Sequence, residues 1–442
     1  MNRMLRLLII HVVLFFTPAL SQIDLDVEQT VLENGLTVLT CEIDAFPTVS
    51  HQLFVSAGSR DELRAGATGV AHVLEHLMFR GTEKNPDYMQ AVSHMGPQVN
   101  AYTGQDYTCY YVNAKSEFLP EIIEIEADRI RNFNFSPETF GREMGPVREE
   151  RRRFIADDPD GYMSEQIYRL AYTRHTYEHP VIGWENDVER NLSYRDANDF
   201  KDVFYSPNFV TIIIVGDFET EEALNLIHQY YSDWPSSLPP IGRVREEPRQ
   251  KRERTMNLTW KSPEISPRVN IAYHGPDLNF HDKDLLALQV LARMMFGEGG
   301  RLNTLLKDDL GLVDRINAEY EGMKDPGLFV IDLTLRDPAN RDSTLRIIYD
   351  GFDKIRKGQV SANELTRTVN ELKAEYVFRL DRPARIAGTL GYYQLSGGDY
   401  KLMFTYYEML STISGSDLAH VAEKYLIASN RSVVTLMPEK ME

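Results

Sequence analysis

The sequence predicts an α/β protein assembled from two copies of one α/β unit, each of about 200 residues. Three observations predict it: strands and helices interleave, the order of elements in the first half returns in the second, and a proline-rich charged stretch lies between them. Gly35–Cys41 and Val49–Ser59 alternate apolar and polar residues, as strands do. Phe118–Phe133 and Glu219–Tyr231 carry the apolar period of helices. Phe209–Val215 closes the first half as an apolar strand. Asp233–Thr255, with Pro235, Pro239, Pro240 and Pro248 among mixed charges, reads as a linker. The pattern then restarts: a strand at Val269–Tyr273, a helix from Asp282 to Phe296, a strand pair at Ile316–Tyr320 and Leu328–Thr334, further helices, and a last strand, Ser432–Leu436, that answers Phe209–Val215. The expected boundaries are 22–234 for the first domain, 235–255 for the linker and 256–442 for the second domain.

The chain has 442 residues, 48 Lys and Arg against 66 Asp and Glu, and a net charge of −18. A protein this acidic repels a phosphate backbone, so nucleic acid is not expected as a partner. Two cysteines, Cys41 and Cys109, exclude a disulfide framework and a zinc site of four thiolates, leaving one bridge or two free thiols. At the N-terminus, Arg3 and Arg6 precede an apolar run from Leu7 to Leu20, and Ala19-Leu20-Ser21 offers the small residues of a processing site. A signal peptide over residues 1–21 is expected, with the mature product secreted or periplasmic. No later stretch is apolar enough for a stable membrane span.

His72-Val-Leu-Glu75-His76 lies within the apolar stretch Gly69–Phe79. The stretch predicts a short buried helix, with Thr68 as its N-cap and Gly81 as its stop. On a helix, positions i, i+3 and i+4 share a face, so both imidazoles and the Glu75 carboxylate project together. Two histidines so placed can hold Zn2+ while the carboxylate stands beside the remaining coordination position. Two histidines and a glutamate on one face of an apolar helix also need partners of some kind. His175-Thr-Tyr-Glu178-His179 matches the same string, but Pro180 moves His179 off helical geometry and the flanks lack the apolar period, so it reads as a loop. Candidates for a third ligand lie in Phe140–Phe154, where Glu143 and Glu150 stand two helical turns apart and Glu149 points about 100° away.

With His72, Glu75, His76, Glu143 and Glu150 in this order, the sequence resembles the inverzincin, or pitrilysin-type, family of zinc metallopeptidases, in its smaller two-domain subfamily. Val99–Thr103, Tyr107–Tyr111, Tyr205-Ser-Pro-Asn208 and Val215-Gly-Asp217 are similar to further motifs of that family. The resemblance implies an α/β (α+β) fold of two homologous domains, each a mainly antiparallel sheet packed with helices. It also implies one Zn2+ per chain, held by His72, His76 and Glu150, with Glu75 as general base and Glu143 supporting the ligands from behind. The expected activity is zinc-dependent endoproteolysis of unfolded peptides. Asn100, Ala101 and Tyr102 would bind substrate by main-chain pairing if they form a sheet edge near the metal.

Two features depart from the family. Gly145-Pro146 interrupts the segment that carries Glu143 and Glu150, predicting a kink or a restarted helix. Where full peptidases of the family place an Arg and a Tyr seven residues apart in the later domain, this chain has Lys307 and Asp314. Lysine lacks the planar fork of arginine, and aspartate repels an oxyanion. The expectation is therefore a homologous partner subunit that brings the missing pair, in a heterodimer, or else a homodimer. The alternative from another class is a non-catalytic scaffold subunit of a peptidase-like assembly.

Overall fold

The computed structural model describes residues 25–239, 242–280 and 283–439. The segment expected to be a signal peptide lies outside the described residues. Two mixed sheets organise the chain. The first orders its strands β1-β2-β6-β3-β5-β4, and the second β7-β11-β8-β10-β9. In the first are β1 (Glu28–Val31), β2 (Thr37–Glu42), β3 (Thr48–Val55), β4 (Gln98–Thr103), β5 (Thr108–Lys115) and β6 (Val210–Gly216); in the second are β7 (Arg254–Trp260), β8 (Arg268–His274), β9 (Val313–Tyr320), β10 (Leu328–Leu335) and β11 (Arg431–Pro438).

With β1 set aside, the two sheets have one topology. In each, the first strand pairs parallel with the last, β2 with β6 and β7 with β11, and every other neighbour is antiparallel. This is the α+β architecture of two homologous, mainly antiparallel units. β6 lies inside its sheet with all seven residues buried, the reason its apolar run shows no alternation. Arg254 and Thr255, expected at the end of the linker, already pair with Ser432 and Val433 as the start of β7. The linker itself is strapped down, because the Glu247 carboxylate accepts from the backbone N–H groups of Thr173, Arg174 and His175 at 2.9, 2.8 and 3.2 Å. Cys41 and Cys109 are free and buried. Among the described residues no helix is long and apolar enough to cross a membrane.

Each half covers the other's sheet. The helix Pro159–Ala171 of the first half packs Met163, Ile167 and Ala171 on Ala272, Leu328, Val434 and Leu436 of the second sheet. In return, the helix Pro383–Ser396 of the second half lies across β3 and β6. There Gln52 Nε2 donates to the Ala384 carbonyl at 2.8 Å, and Gly391 seats directly over the Phe54 ring. The opposite face of the first sheet packs Leu53, Val112 and Ile212 against Ile122, Ile123 and Ile130 of the helix Leu119–Arg131. A single apolar core therefore runs from Leu39 and Ile213 through Ile386 and Leu390 to Ile271 and Phe329.

At Gly391 a Cβ would fall 2.1 Å from the Phe54 ring, whereas at Gly388 it would meet only Gln52 Oε1, at 3.8 Å. Gly391→Ala should therefore destabilise the chain by about 1–3 kcal/mol through overpacking. Gly388→Ala should stabilise it by up to about 1 kcal/mol through helix propensity. Denaturant titration of both variants checks this, and equal midpoints would mean that the helix is not seated on Phe54.

Candidate metal centre

The helix α1 (Val70–Leu77) buries Val70, Ala71, Val73, Leu74 and Leu77, leaving His72, Glu75 and His76 together on the remaining side. Thr68 is not its cap. Gly69 takes that position at φ +92°, where a Cβ would collide with the Ile182 carbonyl. The Thr68 hydroxyl instead donates to Asp187 at 2.6 Å. The orphan N–H groups at the start of α1 are taken by a carboxylate from outside the helix. Glu62 accepts from Gly69 N at 2.7 Å and from Ala71 N at 2.9 Å, one oxygen to each. Burial pushes its pKa well up, and these two N–H groups pull against that shift. Nothing in the local sequence marks Glu62, since its partners lie seven and nine residues on.

Pro146 does not break the second element of the site. The helix Pro137–Arg151 is continuous through it and ends in a π turn, Arg152–Ala156. The proline sits on the exposed face, where water can satisfy the Arg142 carbonyl that loses its intrahelical donor. Glu143, Val147 and Arg151 are on the buried face, and the half-buried Glu150 points toward α1. Glu149 is exposed and paired with Arg152 at 2.6 Å.

Three of the expected residues come together. Glu150 Oε2 lies 3.2 Å from His76 Nε2 and Glu150 Oε1 lies 3.7 Å from His72 Nε2. The imidazole centroids are 4.8 Å apart with the rings inclined at 69°. Among the described residues, His72, His76 and Glu150 are the group of metal-ligating side chains whose donor atoms all lie within 4.8 Å of one another. Donors bound at zinc distances in a tetrahedron are separated by about 3.4 Å, so two nitrogens and one carboxylate oxygen at these spacings fit that ion with small adjustments. Burial and then the neighbouring ring of His76 push the His72 imidazole down to about 4. At His76 burial also favours the neutral ring, but the Glu150 carboxylate outweighs it and raises the pKa. The His76 hydrogen bond holds Glu150 below the ordinary carboxylate range against the opposing effect of burial.

Glu75 stands beside the cluster without joining it. Its Oε2 accepts from Thr103 Oγ1 at 2.6 Å, and burial raises its pKa above the ordinary value. Thr103 ends β4, within the stretch Val99–Thr103 singled out in the sequence, though it was not expected to touch Glu75. Glu143 turns its buried carboxylate to the Arg80 guanidinium and reaches His76 only through its charge.

β4 is an edge strand of its sheet. Asn100 lines a cavity of about 500 Å³ together with Glu75, His76, Phe79, Arg80 and Glu143. Tyr102 lines two further cavities, of about 850 and 670 Å³, between the halves. Ala101 points the other way and is buried. Lys307 and Asp314 line none of these spaces. Asp314 accepts from Arg336 at 2.9 Å. The second HxxEH string is a single 3-10 turn, Thr176–Glu178, with its rings facing different partners: His175 meets Asp325 at 3.0 Å, and His179 lies 3.7 Å from Glu62.

Comparison with known proteins bears on the family of the chain. Residues 37–184 match the family model described as insulinase (peptidase family M16), and residues 191–372 match that of the peptidase M16 inactive domain. The zinc protease PqqE of Helicobacter pylori is 26% identical over 427 residues, covering 93% of each chain. The crystal structure of a protease from Helicobacter pylori superposes with a TM-score of 0.87 at 24% identity, over 94% of this chain and 100% of that one. The first half of the periplasmic protease PqqL from Escherichia coli superposes with a TM-score of 0.75 at 21% identity, over 93% of this chain and 92% of that one. The two matched segments take in most of both halves, and the chain belongs to peptidase family M16.

Proposed function

We propose that this chain is the zinc-binding subunit of an endopeptidase that hydrolyses unfolded peptides. The approach of Glu150 to both His72 and His76 supports this reading most directly. His72, His76 and Glu150 would hold one Zn2+. The chemistry a zinc ion supplies in such a site is Lewis acidity, which brings the pKa of water to about 7 and polarises the scissile carbonyl. Glu75 takes the proton of the attacking water and passes it to the leaving amine. The Thr103 hydroxyl occupies one of its oxygens and so fixes which one meets that proton. Glu143, paired with Arg80, adds its negative charge near His76.

The free edge of β4 receives an extended peptide by main-chain pairing, with Asn100 beside the metal pocket and Tyr102 facing the space between the halves. That edge and cavities of this size suit an unfolded chain rather than a folded domain. Lys307 and Asp314 stand away from the pocket, and Asp314 is committed to Arg336, so this pair does not serve the oxyanion. A homologous partner subunit supplies a cation and a phenol for it, or a second copy does so poorly. The likeness to the first half of PqqL, a protease with a further half, supports that arrangement. The likeness to a periplasmic protease joins the expected signal peptide at 1–21 in favouring secretion or a periplasmic location.

Glu75→Gln should leave zinc stoichiometry at one per chain while lowering kcat by about 10²–10⁴-fold. Glu150→Gln should weaken zinc binding, and a chelator should strip that variant before the parent. A parent chain that takes up no zinc at neutral pH would leave a scaffold subunit as the remaining reading. Partner dependence is read separately: peptidase activity per mole should be low for the isolated monomer and rise on adding a related subunit that carries the Arg and Tyr. Equal activity with and without that subunit would refute the divided site.

A further inference from the structure

The second HxxEH string, which takes no part in the metal cluster, joins the start of α1 to the other half of the molecule. Glu62 grips the first N–H groups of α1 and is itself fully buried, with His179 at 3.7 Å from its Oε2. Two residues earlier, Arg60 donates through Nε to Asp325 at 2.5 Å, across to the β9–β10 loop of the second half. Asp325 also meets His175 Nε2 at 3.0 Å, and the Thr176 hydroxyl donates to the Arg60 carbonyl at 2.6 Å. The loop is pinned once more by Tyr177, which donates to Asp106 at 2.5 Å and accepts from Asp325 N at 3.2 Å. Residues 59–61 form a 3-10 turn, so moving Arg60 must move Glu62 with it. His179 and Thr176 close the same structure from the other side.

α1 has eight residues, far too few to hold a helical conformation on its own. Its first turn depends on acceptors brought from elsewhere, and His72 directly follows the second of the two N–H groups that Glu62 holds. We propose that Glu62 is a positioning residue for the metal helix, and that docking of the second half through Asp325, with Arg60 and His175 as intermediaries, sets where Glu62 stands. Loss of the docking contact then loosens His72, although Asp325 touches neither α1 nor the cluster. The inference about affinity rests on His72, His76 and Glu150 binding metal. The inference about α1 does not, and the test separates them.

Two measurements on the full chain decide it. In metal-free protein, amide hydrogen exchange at Gly69, Ala71 and Val73 should quicken at least tenfold in Asp325→Ala, with the amides of Ile122 and Ile123 unchanged. Unaltered exchange at α1 would overturn the proposal whether or not the protein binds zinc. In zinc competition with a chelating dye, Glu62→Gln, which places an amide donor opposite a backbone N–H, should weaken affinity about 10–100-fold. Asp325→Ala should weaken it less, and the double variant should bind no worse than Glu62→Gln alone, since the two lie on one route. Full additivity would show that Asp325 acts by another path. Glu62→Gln affinity equal to the parent, with only the unfolding midpoint lowered, would reduce Glu62 to a structural cap. If Glu62→Gln does not fold, the exchange measurement on Asp325→Ala decides alone.

Discussion

The structure depends on keeping a short helix in place while three of its side chains stay polar. His72, Glu75 and His76 share a face of α1, and every other residue of that helix is buried apolar surface. Such a face is tolerable only when something meets it, because unpaired imidazoles and carboxylates next to an apolar core are costly. Glu150, on the helix Pro137–Arg151, and Thr103, at the end of β4, meet it from two sides. Glu62 meets the backbone of the same helix from a third.

The reciprocal covering of the sheets settles where open space is left. The helix Pro383–Ser396 packs mainly on β3 and β6, and Pro159–Ala171 mainly on β8 and β11, so neither is centred on the edge strands β4 and β9. Tyr102 on β4 and Glu319 and Glu321 on and just beyond β9 line one cavity. The two sheets are thus firmly joined through their centres and apart at their edges, and the cluster of His72, His76 and Glu150 lies beside one of those edges. Along β4, Asn100 lines the cavity beside Glu75 and His76, and Tyr102 lines the space between the halves.

Much of this was legible in the amino acids. The period of β2, β3 and β8 and of the helices Leu119–Arg131 and Thr220–Tyr231 marked these elements to within a few residues, because each has one buried and one wetter face or is buried throughout. The polar face of α1 was legible for a similar reason, since His72, Glu75 and His76 interrupt an otherwise apolar run at helical spacing. Two local readings did not survive. Thr68 looks like an N-cap, but Asp187, more than a hundred residues away, takes its hydroxyl while Gly69 and Glu62 do the capping. Pro146 looks like a break, but it falls on the exposed side of its helix, where water can take the place of the missing donor.

By itself, then, the sequence determined which residue types recur at which spacing: the elements, their repetition in two halves, and a helix face able to ligate a metal. Only the tertiary structure decided which of Glu143, Glu149 and Glu150 turns toward the histidines, because helical phase says that residues seven apart share a side but not which way that side faces. It also decided the fate of two identical strings. Both read HxxEH, yet one forms a helix whose first N–H groups are satisfied by a distant carboxylate, and the other is a single turn whose histidines are drawn to Asp325 and Glu62. Contacts of this kind join residues far apart in the chain, and no local pattern encodes a partner that folding alone brings near.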